Sequence, residues 1–194
     1  MKRFELFFVL FSTLLIACEP INPNGDQYPV VSADDYYWYK GNKIYLERGN
    51  QEYIIYDDAL LSEIDKQKLE MSESDLYLEE PNLKWGITKP NTVIEDLEHV
   101  LYRMPSYTSE GTNFFVTHTF NVKLKDSNDL SILQNMAKQY NAKIVKEEPL
   151  PLWYLLACNL PSSSNAMNIA NRFYESGKFA VSEPNFMGGV VLHN

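Results

Sequence analysis

Residues that commonly build metal and catalytic sites are scarce in this sequence. Its 194 residues include two cysteines and three histidines, and no C-x-x-C or H-E-x-x-H spacing occurs. No serine stands in a G-x-S-x-G setting, and no glycine-rich phosphate loop follows a predicted strand. His118 lies inside a predicted strand, where we interpret it as a residue of the sheet surface. We therefore predict a protein that is not an enzyme and has no metal site and no cofactor.

Positive charge is also in short supply. The chain has 17 lysines and arginines against 26 aspartates and glutamates, which gives a formal net charge of −9 at pH 7. A protein that binds the phosphates of nucleic acids is expected to carry a basic face, so we predict no nucleic-acid partner. With 45% hydrophobic residues, the chain has enough apolar surface to bury a core.

The sequence has one long apolar run with few charges, and it lies at the N-terminus. In residues 1–17, Lys2 and Arg3 precede an apolar stretch that is short for a bilayer span, which predicts a signal peptide. The run ends in Leu-Ile-Ala-Cys, which resembles a bacterial lipoprotein cleavage box. Cys18 is therefore the predicted lipidation site and membrane anchor; the alternative is an ordinary secretory peptide with a chance cysteine. We expect a cell-envelope protein, either facing the periplasm or exposed at the surface.

The second cysteine has no partner if Cys18 is lipidated. Cys158 lies in the apolar run "LWYLLACNL", with no histidine nearby in the sequence. This setting predicts a buried structural thiol.

The N-terminal half predicts a tether followed by a small β-rich subdomain. Residues 18–33 contain three prolines and a glycine, as is typical of a linker. Within residues 34–112, three strand-like runs separated by the turn signals Gly41-Asn42 and Gly49-Asn50 predict a meander. A helix over residues 58–70 follows, with an apolar stripe of Leu60, Leu61, Ile64 and Leu69. Farther on, "LKWGITKP" (83–90) has a strand-like pattern and "SYTSEGTN" (106–113) is predicted as a loop.

The C-terminal part, residues 113–194, has a clearer pattern. Strand-like runs occur at 114–125, 142–148, 151–160 and 179–186, and capped helical periods occur at 126–141 and 162–178. The apolar run 151–160 is typical of a central strand, the second helix has a serine N-cap, and Gly177 stands where a left-handed residue ends that helix. Pro184 marks the edge or end of the last strand. The order β-α-β-β-α-β predicts an α+β fold with a ferredoxin-like antiparallel sheet and both helices on one face.

The end of the chain resembles a known family. "ANRFYESGKFAVSEPNF" (170–186) resembles the end of the prodomains of subtilisin-like serine proteases, where a helix ends in A-x-x-F-Y-E-S-G and a strand in E-P-[DN]-[FL]. The matching residues are Ala170, Phe173, Tyr174, Glu175, Ser176, Gly177, Phe179, Glu183, Pro184, Asn185 and Phe186. The run "YYWYKGNKIYL" (36–46) is similar to the N-terminal hairpin of the long prodomains of secreted subtilases of Bacteroidetes.

The resemblance implies a mode of binding. In the family, the open sheet face packs on two helices of the protease, and the segment after the last strand enters the active-site cleft as a product-like strand. Acidic side chains near the connection of the second and third strands cap the protease helices. Glu147 and Glu148 are the candidates for this role, with ordinary surface charge as the alternative. The other candidate contact residues are Glu183, Asn185, Phe186, Met187, Gly188, Gly189, Val190, Val191, Leu192, His193 and Asn194.

The chain carries the prodomain pattern without the Asp, His and Ser motifs of a protease. The resemblance therefore implies a stand-alone relative that inhibits a subtilisin-like serine protease, or assists its folding, in trans. Two alternatives remain open. One is a surface lipoprotein module that binds peptide, glycan or protein, with Tyr36, Tyr37, Trp38 and Tyr39 as a stacking surface unless they pack the N-terminal core. The other is a relic of a lost protease precursor.

Overall fold

The computed structural model describes residues 35–71, 78, 81–109, 112–162 and 165–188. The predicted signal peptide (1–17), Cys18 and the tether (18–33) lie outside these residues. The strands are β1 (Tyr36–Tyr39), β2 (Asn42–Tyr45), β3 (Glu47–Asp57), β4 (Leu69–Met71), β5 (Leu83–Thr88), β6 (Val100–Ser109), β7 (Thr112–Leu124), β8 (Ala142–Glu147), β9 (Trp153–Cys158) and β10 (Phe179–Gly188). The helices are α1 (Glu63–Lys66), α2 (Leu130–Gln139) and α3 (Ala166–Glu175). In this part of the chain no helix is long and apolar enough to cross a membrane.

The strands form a two-stranded hairpin and one large antiparallel sheet. β1 pairs with β2, and the eight-stranded sheet runs β4-β5-β3-β6-β7-β9-β8, with β10 paired to β7. The prediction of an α+β fold built mainly on antiparallel sheet is confirmed. The four-stranded sheet predicted for residues 113–194 is too small, because Tyr107 of β6 pairs with Phe114 of β7. The sheet therefore continues from the N-terminal half into the C-terminal half.

β7 is the strand that joins the two halves. β10 pairs along one of its edges, while β6 and β9 share the other edge, β6 at residues 112–115 and β9 at residues 119–123. The 13 residues of β7 span roughly 44 Å at about 3.4 Å per residue, which is long enough for two partners in line. Its apolar side chains belong to a core that also contains residues of the N-terminal strands, such as Tyr53 and Trp85.

Both long helices cover the same face of the sheet. The ring of Phe173 in α3 lies 5.4 Å from the ring of Phe120 in β7 and 5.9 Å from that of Tyr140, which ends α2. The buried positions of α3 follow the helical period, as the sequence predicts: Ala166, Ile169, Ala170 and Phe173.

The helix ends were predicted with one error. Asp126 and Asp129 form a capping box before α2, and Gly177 has a φ of +67° after α3, so the left-handed stop is confirmed. The N-cap of α3 is Asn165 rather than a serine, since its side chain accepts a hydrogen bond of 2.7 Å from the backbone N–H of Asn168. β9 lies between β7 and β8, as predicted for a central strand.

The predicted meander is wrong, because β3 does not belong with β1 and β2. The hairpin turn consists of Lys40 and Gly41, both with positive φ, and Tyr39 pairs with Asn42. Gly49 and Asn50 lie inside β3, where the register with β6 shifts, so this turn signal marks a bulge. The predicted loop 106–113 is also mainly strand, with Ser106 paired to Phe115.

The helix predicted over residues 58–70 is reduced to the single turn of α1. Of the predicted apolar stripe, Leu60 and Ile64 are exposed, whereas Leu61 and Leu69, which lie outside α1, are buried. The buried residue of α1 is Asp65. Its carboxylate accepts hydrogen bonds from Lys68 Nζ at 2.7 Å and from the backbone N–H of Asp96 at 2.8 Å. These bonds tie α1 to the loop before β6.

Candidate functional site

The predicted contact residue Asn185 is held within the sheet. It stands at a register shift in β10, between Pro184 and Phe186. Its Oδ1 accepts from Asn121 Nδ2 at 2.5 Å, and its Nδ2 donates to Thr119 Oγ1 at 2.9 Å. The side-chain amide thus helps to fix the path of β10 beside β7.

Phe186 is a large apolar side chain of β10 that is partly exposed to solvent. Its side chain is 40% exposed, and its ring lies 4.8 Å from the ring of Tyr37 and 5.5 Å from that of Phe114. One side of the ring is therefore packed and the other is available for contact.

Gly188 ends the described part of the strand in a conformation that favours glycine. Its φ is +110°, and an added Cβ would lie 2.9 Å from the carbonyl oxygen of Asn113. Met187, one residue earlier, packs partly against the core. The remaining predicted tail residues lie outside the described part of the chain: Gly189, Val190, Val191, Leu192, His193 and Asn194.

Glu183 is half-buried in β10. Loss of solvent raises the pKa of its carboxyl, and the charge of Lys40 acts in the opposite direction. Pro184, which follows it, sits on a strand that pairs only with β7 among the described strands. An edge position tolerates the missing N–H of proline, as predicted.

Glu147 and Glu148 lie at the connection of β8 and β9, in different settings. Glu147 is exposed at the end of β8. Glu148 Oε1 lies 3.3 Å from Lys146 Nζ, and its backbone N–H donates to the carbonyl of Trp153. Leu150 in the same connection is 64% exposed. The sheet therefore ends here in an acidic and apolar tip formed by Glu147 and Leu150.

The two groups of predicted contact residues are far apart. Gly188 pairs with Phe114 at the start of β7, whereas Glu147 pairs with Tyr154, which pairs with Val122 near the end of β7. Eight residues of strand separate these positions, or about 27 Å. A partner that contacts both groups has to extend along most of the sheet.

The predicted open face is buried at its centre. Thr119 and Ala157 are paired on the face opposite the helices, next to the pair Asn121 and Leu155. Thr119, Ala157 and Leu155 are only 3%, 0% and 2% exposed.

A cluster that the sequence did not predict joins the hairpin β1–β2 to the end of α3. Glu175 Oε1 accepts from Tyr36 OH at 2.7 Å and from Trp38 Nε1 at 3.1 Å. The Trp38 ring stacks on Tyr174 with 4.9 Å between centroids, and Lys43 Nζ lies 4.0 Å from the centre of the Tyr36 ring. Two residues of the family-like motif, Tyr174 and Glu175, are thus engaged within the molecule.

Cys158 is a buried thiol, as predicted. Burial raises its pKa to about 12, so the nucleophilic thiolate is strongly disfavoured at neutral pH. His118 is also buried, and the interpretation as a sheet-surface residue is wrong. Because Thr119 pairs with Ala157, the next position brings His118 opposite Cys158. No sequence spacing could reveal this neighbourhood, since it depends on strand register.

Neither a search for metal-binding geometry nor comparison with known proteins assigns a function to this chain. Among the described residues, no group of three or more His, Cys, Asp or Glu side chains is arranged to hold a metal ion. Comparison of the chain with family models, with curated proteins and with solved structures gives no significant match.

Proposed function

We propose that this chain is a non-catalytic cell-envelope lipoprotein, related to subtilase prodomains, that binds and inhibits a subtilisin-like serine protease in trans or assists its folding. The observation that carries the proposal is the strand order β10-β7-β9-β8 with α2 and α3 on one face. We interpret this part as a ferredoxin-like sheet in which β10 leads into the C-terminal segment. A lipid on Cys18 would hold the protein at a membrane.

The proposed cleft contact uses the residues after β10. Six residues follow Gly188 in the sequence, and in an extended conformation they reach up to about 20 Å. An extended segment binds a protease cleft by backbone hydrogen bonds, with side-chain pockets adding specificity. Phe186 adds exposed apolar surface beside this exit.

The proposed acidic contact favours Glu147 over Glu148. An exposed carboxylate with no ion pair of its own can cap the N-terminus of a partner helix without first giving up an existing contact. Glu148 would have to exchange its contact with Lys146, which removes much of the gain. The exposed side chain of Leu150 lies in the same connection.

The test is a titration of purified residues 19–194 against a panel of secreted subtilases, with hydrolysis of a peptide substrate as the readout. A chain that ends at Gly188 keeps all of β10, so we expect it to fold and to inhibit at least tenfold less well. Glu147→Gln is expected to weaken inhibition about threefold. The matched control is Glu63→Gln, on the exposed side of α1, which should inhibit like the original chain.

Two outcomes would contradict the proposal. Equal inhibition by the chain that ends at Gly188 would exclude the cleft contact. The absence of both inhibition and binding across the panel would favour a binding module for other partners, or a relic. The aromatic stacking surface has little support as a second function, because Tyr37 is buried and Trp38 stacks on Tyr174.

A further inference from the structure

A groove lies between α2 and β8, at the opposite edge of the sheet from β10. Its volume is about 360 Å³. The wall on α2 consists of Gln134, Ala137 and Lys138, and the wall on β8 consists of Ala142 and Ile144. The side chains of Ala142 and Ile144 point to the helix face, because Ile144 pairs with Leu156, a core residue. The floor is therefore apolar and the rim is polar.

The backbone of β8 also faces this groove. β8 stands last in the strand order and pairs only with β9 among the described strands. The carbonyl of Asn141 accepts from the backbone N–H of Asn159 at 2.9 Å. Since hydrogen-bonded and non-hydrogen-bonded pairs alternate in an antiparallel ladder, the N–H and C=O groups of Ala142 and Ile144 point away from β9. They are the donors and acceptors that an added strand requires.

The charge of the groove is opposite to that of the whole chain. Its lining includes Lys138 and no acidic side chain, although the chain has a net charge of −9. Lys143 lies on the same stretch of β8, with its side chain on the face opposite the groove. An acidic segment therefore suits this edge better than a basic one.

We propose that this groove binds an extended acidic segment of a partner protein. The segment adds to β8 as a short strand at Ala142–Ile144 and places one apolar side chain against Ala137. The register shift between Ile144 and Lys146 ends the regular edge, so the added strand is three to four residues long. The site does not depend on protease binding, because it lies on the opposite edge of the sheet from β10.

The bulge and the lysines of β8 also match a second role that is known for edge strands. Bulges and lysines on edge strands also protect a sheet from pairing with other chains. The two roles differ in their response to a matching peptide, which a protected edge excludes and a binding edge accepts.

The experiment measures binding of three fluorescein-labelled peptides to the full-length chain by fluorescence anisotropy. The probes are Glu-Val-Glu-Val-Glu, Lys-Val-Lys-Val-Lys, and the acidic peptide with every backbone nitrogen methylated. We expect the acidic peptide to bind, and the other two to bind at least roughly tenfold more weakly, since one lacks charge complementarity and the other lacks backbone donors. Amide resonances of residues 142–144 should shift with the acidic peptide alone.

Two variants locate the site without touching the core. Lys138→Glu should weaken binding of the acidic peptide about fivefold, whereas Lys178→Glu, the same charge change at an exposed position after α3, should leave it unchanged. Lack of binding by the acidic peptide, equal binding by the methylated peptide, or shifts confined to other strands would each overturn the proposal. Dimerisation of the chain through β8 in place of peptide binding would also overturn it, by assigning the edge to a second copy.

Discussion

At the scale of single residues, Glu175 links parts of the chain that are far apart in sequence. Its carboxylate accepts hydrogen bonds from Tyr36 and Trp38, 139 and 137 residues away. The hydrogen bond from Tyr36 is the main cause that lowers the pKa of Glu175. Burial opposes this effect, and Trp38 and Lys43 add to it. The hairpin is therefore attached to α3 most firmly when this carboxylate is ionised.

The pH dependence follows from the sign of that shift. The pKa of Glu175 is lower in the folded chain than its ordinary value of 4.5, so its contribution to stability is complete above that value and is lost as the pH falls through the folded pKa. We expect Glu175→Gln to lower the free energy of unfolding by about 1 kcal/mol at pH 7, since the site is partly exposed. Urea denaturation at several pH values between about 7 and 3 measures it.

In that series, the original chain should lose more stability on acidification than the Glu175→Gln variant. Glu147→Gln serves as the control at an exposed carboxylate and should match the original chain at pH 7. Identical pH profiles for the Glu175→Gln variant and the original chain would show that the carboxylate does not hold the hairpin.

At the scale of elements, β3 continues through Gly49 and Asn50, where the sequence pattern predicts a turn. Gly49 lies where β3 crosses Ser106 of β6, and a Cβ at Gly49 would overlap Ser106 Oγ. That hydroxyl accepts a hydrogen bond from the backbone N–H of Gln51 at 3.2 Å. Glycine is therefore needed here for a close approach of two strands, and not for a reversal of the chain.

We expect Gly49→Ala to lower the free energy of unfolding by about 2 kcal/mol, because the Ser106 hydroxyl is buried and would have to turn away from the backbone N–H of Gln51. The change is measured from urea denaturation curves. Adding Ser106→Ala should restore part of the loss by removing the overlapping hydroxyl. Gly177→Ala is a useful comparison, since nothing lies within 4 Å there and only its φ of +67° is unfavourable. It should cost about 1 kcal/mol, and Ser106→Ala should not restore it.

At the scale of the whole molecule, the two halves of the sequence share β7 and one core. Tyr53 and Trp85 from the first half belong to the same buried cluster as Phe173 from the second. We therefore expect residues 35–194 to unfold in one cooperative transition. Residues 113–194 alone would lose the pairing of β6 with β7 and expose Phe114, which packs on Tyr107.

For that fragment we expect no cooperative thermal transition by circular dichroism, although the sequence pattern of residues 113–194 is complete by itself. A sharp transition, with the near-ultraviolet spectrum of packed aromatics, would show instead that the C-terminal part is an independent domain.

The sequence alone determined the elements whose signals are local. The period of α3, the stop at Gly177, the central apolar strand β9 and the burial of Cys158 could be predicted, because each depends on residues within about one element of one another. The motif at the end of the chain also predicts contact roles for Glu183 and Asn185, and these roles stay predictions.

Only the tertiary structure decided how those elements and residues are used. A sequence window cannot show that Ser106 approaches Gly49, that Asp65 accepts a hydrogen bond from the loop at Asp96, or that Asn185 accepts one from Asn121. The same holds for the burial of the sheet face and for the distance between Gly188 and Glu147. These features depend on contacts between residues far apart in the chain, which form only when strand register brings them together.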